Sequence, residues 1–271
     1  MLSFPNAKIN IGLYITNKRN DGYHDIESVF YPIINYYDCL EIIETQGNGN
    51  IDFTSVGIEI PGTNDGNLCV KAYYAINAIS PLPAVKMLLK KNIAIGAGLG
   101  GGSADAAFAI HLINKKFELK LSLAKQLKIA ATLGSDCSFF IHNTPCFASG
   151  RGEVLQKFSF NLKGKKIVLV NPAIHINTQD AYSGIIPKQP KYALAESILK
   201  PIAEWQYLIK NDFEDSVFLK EPAIEKIKNE LYKKGALYAS MSGSGSTVYG
   251  IFDNVPDFYF PENYFVGSFD L

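Results

Sequence analysis

The chain has 271 residues, of which 47% are hydrophobic and 19% charged, a composition typical of a soluble globular protein with one large or two ordinary domains. Its 26 basic and 26 acidic residues cancel, so the charge balance gives no support for a nucleic acid or an anionic membrane as a partner. The four cysteines form no C-x-x-C pair, the N-terminus has no signal-peptide pattern, and no apolar run is long enough to span a membrane. These features predict a cytoplasmic protein without a cysteine-based metal or redox centre.

The first half of the sequence begins with a run of predicted strands, and helices with one further strand follow. Alternating apolar and polar residues, or short apolar runs, predict strands at residues 7–16, 26–34, 38–45, 51–56, 57–60 and 85–89. Helical spacing predicts helices at residues 67–79, from the glycine-rich segment to about residue 114, and from about residue 122 to Gly134, since glycine is a common helix terminator.

The second half changes character near residue 150. We predict strands at residues 147–155 and 166–171, helices at 193–209 and 222–234, and a strand–turn–strand unit at 236–252 around the sequence SGSGS. This order of elements predicts an α+β fold with a first domain at residues 1–150 and a second at 151–271, joined without a flexible linker.

The most informative segment is residues 96–107, with the sequence GAGLGGGSADAA. Five of its first seven residues are glycine: Gly96, Gly98, Gly100, Gly101 and Gly102. The residues that follow predict a helix. A glycine-rich loop that leads into a helix presents unpaired N–H groups and the positive end of the helix dipole, which together bind phosphate. The segment therefore predicts a nucleotide held by its phosphates, because an idle turn gains nothing for the entropic cost of so many glycines.

Two familiar nucleotide loops fit this segment less well. The P-loop ends in Gly-Lys-Ser/Thr, whereas Gly102 is followed directly by Ser103, so no lysine is placed to reach the phosphates. A dinucleotide-binding pattern, G-x-G-x-x-G, begins at Gly96. Glu118 stands near the position of its acidic residue, but no clear strand precedes it.

Four polar residues outside the loop are candidates for chemistry, although each has an ordinary structural alternative. Lys8 lies on the polar face of the first long strand with Asn10, where a lone lysine is usually a solvated surface residue. Asp136 follows a helix end and precedes two phenylalanines, a context that suits either a helix N-cap or a carboxylate acting as a base. Tyr23 and His24, taken singly, would be packing residues.

Taken together, the motifs of this sequence resemble those of the GHMP kinase family. The matching segments are PNAKINIGLYI at 5–15, RNDGYHDIES at 19–28, GAGLGGGSADAA at 96–107, LGSDCSFF at 133–140, GRGE at 150–153 and SGSG at 242–245. The resemblance covers residues 7–252 and implies phosphoryl transfer from ATP to a hydroxyl of a small molecule. It also implies a two-domain GHMP kinase fold, with an N-terminal domain similar to domain 2 of ribosomal protein S5 and a ferredoxin-like C-terminal domain. The AKIN and DGYH elements resemble the family member whose substrate carries a cytidine diphosphate group.

The resemblance implies a role for each candidate. Asp136 would be the catalytic base, Lys8 would keep its carboxylate ionised and polarise the substrate hydroxyl, and Asn10 would orient the substrate. The cytosine would be held by Tyr23, His24, Thr178 and Tyr182, and the SGSG turn would lie close to the substrate. The ATP site would comprise Asn67, Lys91, Gly96, Ala97, Gly98, Leu99, Gly100, Gly101, Gly102 and Ser103. Mg²⁺ is expected with ATP, without a carboxylate ligand that can be named, and the chain is expected to be a monomer or a homodimer.

The sequence departs from the family pattern at four positions. Ala94 replaces a proline before the loop, Ala104 replaces a second serine that would add a hydroxyl for phosphate, and Cys137 and Ser138 replace valine and proline.

Three other interpretations stay open at this stage. A homoserine, mevalonate or sugar kinase of the same family would have no base to stack on Tyr182. A dinucleotide-dependent oxidoreductase would leave Lys8 and Asp136 without roles, and a non-catalytic nucleotide-binding protein would not need them.

Overall fold

The computed structural model describes the whole chain, residues 1–271, as a mixture of strands and helices. The strands in chain order are β1 (Leu2–Ser3), β2 (Asn6–Lys18), β3 (His24–Tyr37), β4 (Cys39–Asn48), β5 (Ile51–Gly57), β6 (Pro83–Lys91), β7 (Cys146–Ser149), β8 (Val154–Lys157), β9 (Lys166–Asn171), β10 (Tyr238–Met241), β11 (Val248–Phe252) and β12 (Phe265–Asp270). The α-helices are α1 (Leu68–Asn77), α2 (Gly101–Lys116), α3 (Leu123–Leu133), α4 (Cys137–His142), α5 (Thr178–Tyr182), α6 (Leu194–Ser197), α7 (Trp205–Leu208), α8 (Phe213–Lys220) and α9 (Pro222–Lys233). Short 3₁₀ helices occupy Asn64–Gly66 and Ile202–Glu204. None of the helices combines the length and the apolar character needed to cross a membrane.

The first of two compact units consists of Met1–Ala7, Tyr36–Ile95 and Gly100–Thr144. Its sheet has the strand order β1-β4-β6-β5, in which β5 and β6 run parallel and the other neighbours antiparallel. α2 packs against α1, α3 and α4. The buried side of α2 is rich in alanine, and these small side chains let the neighbouring helices approach closely. This packing fixes the first turn of α2, where the glycine-rich segment ends.

The second unit consists of Lys8–Asn35, Gly96–Leu99 and Pro145–Leu271. It contains an antiparallel sheet with the order β10-β11-β9-β12 and most of a second sheet with the order β2-β3-β7-β8. α9 packs on β10 and β11 and buries Ile224, Ile227 and Leu231. Because these residues recur every three or four positions, one face of the helix covers the sheet.

Two predicted elements are interrupted in the structure. The predicted strand 147–155 is two strands, β7 and β8, because the chain reverses at Gly150, whose φ of 65° lies in the left-handed region. The predicted helix 193–209 is broken into α6, a 3₁₀ turn and α7, because Pro201 lacks the N–H that a continuing helix would use.

Short elements account for the other differences. Four elements, α4, α5, α8 and β12, were not predicted, because with 6, 5, 8 and 6 residues they are too short to establish a hydrophobic period. Of the predicted strand 57–60 only Gly57 lies in a strand, at the end of β5. Gly134 ends α3 with an extended φ of 173°, not in the left-handed conformation typical of a terminating glycine.

The compact units are discontinuous in sequence, whereas the predicted domains are two consecutive halves. Lys8–Asn35 belongs with the C-terminal residues, and the last passage between units falls between Thr144 and Pro145. The division into residues 1–150 and 151–271 stays a prediction.

Candidate active site

The glycine-rich segment forms a loop whose conformation glycine adopts readily. Gly96, Gly98 and Gly100 have φ values of 64°, 78° and 69°, all in the left-handed region. A Cβ on Gly98 would lie 1.9 Å from the carbonyl oxygen of Ser242, so a larger residue would force the backbone to move. α2 begins after Gly100, whose carbonyl accepts the N–H of Ala104 at 2.9 Å. The three N–H groups between these two residues stand at the start of the helix, where anions bind.

Lys8 lies in β2 and is buried, so the surface interpretation of this lysine is wrong. Its exposed fraction is 4%. The ammonium donates a hydrogen bond of 2.5 Å to Asn10 Oδ1 and lies 4.8 Å from the centre of the Phe30 ring. Asn10 in turn donates to the Ser28 hydroxyl at 2.9 Å. A buried ammonium needs such partners, and they hold the charge in one orientation.

Ser242 connects this part of β2 to the glycine loop within the second unit. Its hydroxyl accepts the N–H of Asn10 at 3.2 Å and donates to the Gly98 carbonyl at 2.8 Å. The backbone N–H of Lys8 also donates to the Leu99 carbonyl at 2.9 Å. The SGSG segment was predicted only as a glycine turn close to the substrate, and nothing in its spacing indicated that its first serine would make both hydrogen bonds.

Asp136 stands directly before α4, at the N-cap position, but its side chain does not cap the helix. The next residue, Cys137, has its thiol against the Ser103 hydroxyl, and burial raises the pKa of this thiol to about 11. A Cβ on Gly134 would lie 3.3 Å from the Cys137 sulfur and 3.9 Å from Ser103 Oγ. In the first unit, the turn that carries Asp136 therefore adjoins Ser103, the last residue of the predicted phosphate loop.

Two asparagine side chains that the sequence analysis did not assign to the site anchor α4. Asn143 follows the helix in a left-handed conformation with a φ of 48°. It donates to Asn6 Oδ1 at 2.8 Å and accepts from Asn6 Nδ2 at 3.2 Å. This reciprocal pair ties the end of α4 to the beginning of β2 and restrains the short helix that Asp136 precedes.

His24 and Tyr182, predicted to bind cytosine, are brought together in the second unit. Their rings stack with centroids 4.7 Å apart and an interplanar angle of 15°. The edge of the pair is supported by Phe213, whose ring centroid is 4.8 Å from that of Tyr182. Burial, assisted by the nearby charge of Lys18, lowers the pKa of His24, which favours the neutral imidazole at neutral pH.

Tyr23, which the resemblance also assigns to the cytosine, lies beside a guanidinium group, while the ring stacked on Tyr182 is that of His24. The Tyr23 ring is 56% exposed, and the Arg151 guanidinium lies 4.7 Å from its centre. This cation–π contact steadies an exposed aromatic ring.

The remaining predicted site residues have structural partners of their own. Thr178 opens α5, with its hydroxyl 3.3 Å from that of Ser244. Asn67 caps α1 by accepting the N–H of Cys69 at 2.9 Å. Lys91 is 2% exposed and donates to two buried carboxylates. Assignment of these residues to the substrate and nucleotide sites stays a prediction.

Two family profiles match the chain. The profile described as GHMP kinases N terminal domain matches residues 67–148, and that described as GHMP kinases C terminal matches residues 192–257. Together the matched segments cover more than half of the 271 residues.

Several relatives that are 40–51% identical over almost the whole chain carry one name. A 4-diphosphocytidyl-2-C-methyl-D-erythritol kinase of Bacteroides thetaiotaomicron is 48% identical over 264 residues, which are 97% of this chain and 95% of that protein. The kinase of the same name from Bacteroides fragilis is 51% identical over 253 residues, with coverage of 93% and 92%. A crystal structure of 4-(cytidine 5'-diphospho)-2C-methyl-D-erythritol kinase is similar with a TM-score of 0.80 and 26% identity, covering 100% of this chain and 99% of that one.

Proposed function

The chain belongs to the GHMP kinase family, and we propose that it transfers the γ-phosphoryl group of ATP to the 2-hydroxyl of 4-diphosphocytidyl-2-C-methyl-D-erythritol, giving the 2-phosphate and ADP for isoprenoid precursor synthesis. The observation that carries this proposal is the chain of hydrogen bonds from Lys8 through Asn10 and Ser242 to Gly98. It joins a buried ammonium to the glycine loop. Phosphoryl transfer needs such positioning and charge stabilisation more than covalent chemistry.

The glycine loop supports the role of ATP as the phosphoryl donor. Its N–H groups at the start of α2 would bind the phosphates. Mg²⁺ bound with ATP would be held largely through phosphate oxygens and water, and would neutralise phosphate charge.

We assign proton removal to Asp136. Its carboxylate takes the proton of the 2-hydroxyl as the hydroxyl oxygen forms a bond to the γ-phosphorus. The bond from the γ-phosphorus to the β–γ bridging oxygen breaks, and ADP leaves with that electron pair. Support for this role comes from the position of Asp136 directly before α4, in the turn that adjoins Ser103 of the predicted phosphate loop. Lys8, fixed by Asn10, supplies positive charge that favours loss of the hydroxyl proton.

The aromatic residues of the second unit would recognise the cytosine. Tyr182 offers a ring face on which His24 now stacks, so a bound base would either displace His24 or extend the pair. The neutral imidazole of His24 has one donor and one acceptor nitrogen, both suited to the polar edge of cytosine. Stacking contributes about 1–3 kcal/mol per base, and the exposed ring of Tyr23 offers a second stacking surface.

The rival functions lose their support at specific points. The dinucleotide-dependent oxidoreductase is wrong for a GHMP kinase, and Glu118 follows α2 where that fold would need an acidic residue after a strand. A non-catalytic protein would keep Lys8 buried at an energetic cost without benefit. The free cysteines fit a reducing compartment, and we propose a cytoplasmic enzyme that acts as a monomer or homodimer.

The experiment that tests the function measures ADP release by the purified protein with Mg-ATP. The cytidyl substrate, homoserine and mevalonate are offered in parallel. We expect turnover with the cytidyl substrate alone. Turnover with homoserine or mevalonate would keep the kinase and overturn the roles given to Tyr23, His24 and Tyr182. Absence of turnover with the cytidyl substrate by a protein that binds ATP would overturn the proposed reaction.

A further inference from the structure

The first unit contains a cluster of three buried charged side chains. The proposed mechanism of phosphoryl transfer gives this cluster no role. Lys91, Asp38 and Asp105 have exposed fractions of 2%, 0% and 3%. The Lys91 ammonium donates to Asp38 Oδ2 and, at 2.8 Å, to Asp105 Oδ2. We call these three residues the buried ion cluster. It pairs one cation with two carboxyl groups, so it carries a net negative charge whenever both are ionised.

The two carboxyl groups are not equally satisfied. The second oxygen of Asp38 accepts the N–H groups of Asn92 and Ile93 at 2.6 and 2.8 Å. The second oxygen of Asp105 is buried without a hydrogen-bond partner. An unsatisfied buried oxygen is costly when charged and less so when protonated. Asp105 is therefore the member of the cluster that takes up a proton.

Electrostatics favours the same member. Burial, opposed by Lys91 and reinforced by Asp38, raises the pKa of Asp105 to about 7. The other titratable groups here are the thiols of Cys69 on α1 and Cys137 on α4. Burial raises the pKa of both thiols, so they stay neutral and leave Asp105 as the titrating group.

The cluster holds the start of the predicted phosphate-binding helix. Asp105 lies on α2 itself, five residues after Gly100. The Lys91 ammonium would be 2.8 Å from a Cβ placed on Gly101, the first residue of α2. Asp38 fixes the N–H groups of residues 92 and 93, where the chain leaves β6 toward the loop. A change in the charge of Asp105 therefore occurs one or two helical turns from the N–H groups proposed to bind phosphate.

We propose that Asp105 is a positioning residue of the nucleotide site, which holds Lys91 against the first turn of α2 and weakens nucleotide binding when it loses its proton. The inference rests on the proposed role of the glycine loop in binding ATP. Loss of the proton adds a buried negative charge near the phosphates, where low dielectric screens it poorly. Nucleotide affinity then falls as the pH rises through neutrality.

Isosteric substitution separates this role from simple structural support. Asp105→Asn keeps an oxygen that accepts from Lys91 and cannot ionise. Asp105→Ala leaves Lys91 and Asp38 as a balanced pair and serves as the second variant should the amide disturb folding. Asp212→Asn is the matched control, because Asp212 is also buried, with an unpartnered oxygen and a pKa raised mainly by burial. It belongs to the second unit, where it accepts the N–H of Ile15.

The test measures the dissociation constant of ADP by calorimetry at about pH 6 and about pH 8 for the wild type and the variants. ADP itself titrates in this pH range, but its effect is the same for every protein and cancels in the ratio of the wild-type to the variant dissociation constant. We expect this ratio to rise about threefold to tenfold between the two pH values for both Asp105 variants, and to stay constant for Asp212→Asn. A constant ratio for the Asp105 variants, or an equal rise for the control, would overturn the role given to Asp105 and leave the proposed nucleotide site intact. Absence of ADP binding by the wild type at either pH would overturn the proposed nucleotide site as well.

Thermal unfolding gives a readout that does not require nucleotide. Because the pKa of Asp105 is raised in the folded state, its protonation stabilises the fold below the unfolded pKa, and this contribution is lost as the pH rises through about 7. The unfolding temperature of the wild type relative to Asp105→Asn should therefore fall between about pH 5 and about pH 8. A difference that stays constant over this range would show that Asp105 does not titrate there.

Discussion

Burial changes what Lys8 can do. A solvated lysine keeps its charge in water and moves among many rotamers, whereas Lys8 is 4% exposed and its ammonium is held by Asn10. The centre of the Phe30 ring lies 4.8 Å from the ammonium nitrogen. An ammonium held in this way loses little further entropy when a substrate binds, and its charge acts through a medium that screens it weakly.

Asp136→Asn tests the proposed base. The amide has nearly the same shape but cannot accept the hydroxyl proton, so we expect kcat to fall by about 10²-fold or more while ADP affinity stays within about twofold. The measurement combines ADP release with calorimetric binding. Asp257→Asn, in an exposed segment before β12, is the matched control and should leave kcat unchanged. An unchanged kcat for Asp136→Asn would remove this carboxylate from the mechanism.

Tyr23→Ala tests recognition of the base. Removing the ring should raise KM for the cytidyl substrate by about tenfold, or about 1.4 kcal/mol, and leave KM for ATP and kcat nearly unchanged. Tyr259→Ala is a suitable control because Tyr259 is 87% exposed and also lies near a cation, Lys234. Steady-state kinetics with each substrate varied in turn separates these effects. An unchanged KM for the cytidyl substrate would contradict stacking by Tyr23.

At the scale of elements, the glycine loop depends on one close approach. Gly98→Ala would place a Cβ 1.9 Å from the Ser242 carbonyl oxygen at a φ of 78°, so we expect a loss of about 2 kcal/mol in the free energy of unfolding. Gly102→Ala, on the first turn of α2 with no atom within 4 Å of the added Cβ, should instead stabilise the protein by up to about 1 kcal/mol. Urea unfolding followed by circular dichroism compares the two. Equal stability of both variants would mean that the backbone around Gly98 is not tightly packed.

Elements with a long pattern could be predicted from sequence, and interactions between distant elements could not. The alternation in β2 and the glycine run before α2 are local, so both were predicted correctly apart from their ends. The buried ion cluster joins Lys91 to Asp38, 53 positions away, and to Asp105, 14 positions away. No sequence periodicity relates residues so far apart, and the residues next to each of them in sequence do not distinguish it from an ordinary charged surface residue. The His24–Tyr182 stack was missed for the same reason: the resemblance indicated both residues but not which rings would meet.

For the whole molecule, the path of the chain matters more than the boundary near residue 150. Six segments alternate between the two compact units, so the chain passes from one to the other five times. Neither unit consists of one continuous stretch. In the second unit, Ile15 of β2 donates its N–H to the Asp212 carboxylate at 2.9 Å, across 197 positions. Gly12 similarly packs against Ile209, with 2.8 Å from an added Cβ to that side chain.

This interleaving predicts that the chain unfolds as one cooperative system. Fragment 151–271 contains only part of the second unit, so we expect it not to fold alone. Fragment 1–150 contains the whole first unit, but its segments Lys8–Asn35 and Gly96–Leu99 lack the rest of the second unit. Fragment 151–271 lacks the strand that satisfies Asp212, and fragment 1–150 lacks the partners of Gly12. Calorimetry of the full chain should give a single transition whose van't Hoff and calorimetric enthalpies agree.

Co-expression of the two fragments provides the control, because together they supply all six segments. We expect the mixture to recover the circular dichroism and ADP binding of the full chain, while fragment 151–271 alone stays unfolded and sensitive to protease. A folded, protease-resistant fragment 151–271 would contradict this expectation. Two separated thermal transitions of the full chain would also contradict it. Each unit would then unfold independently, although the chain passes between the units five times.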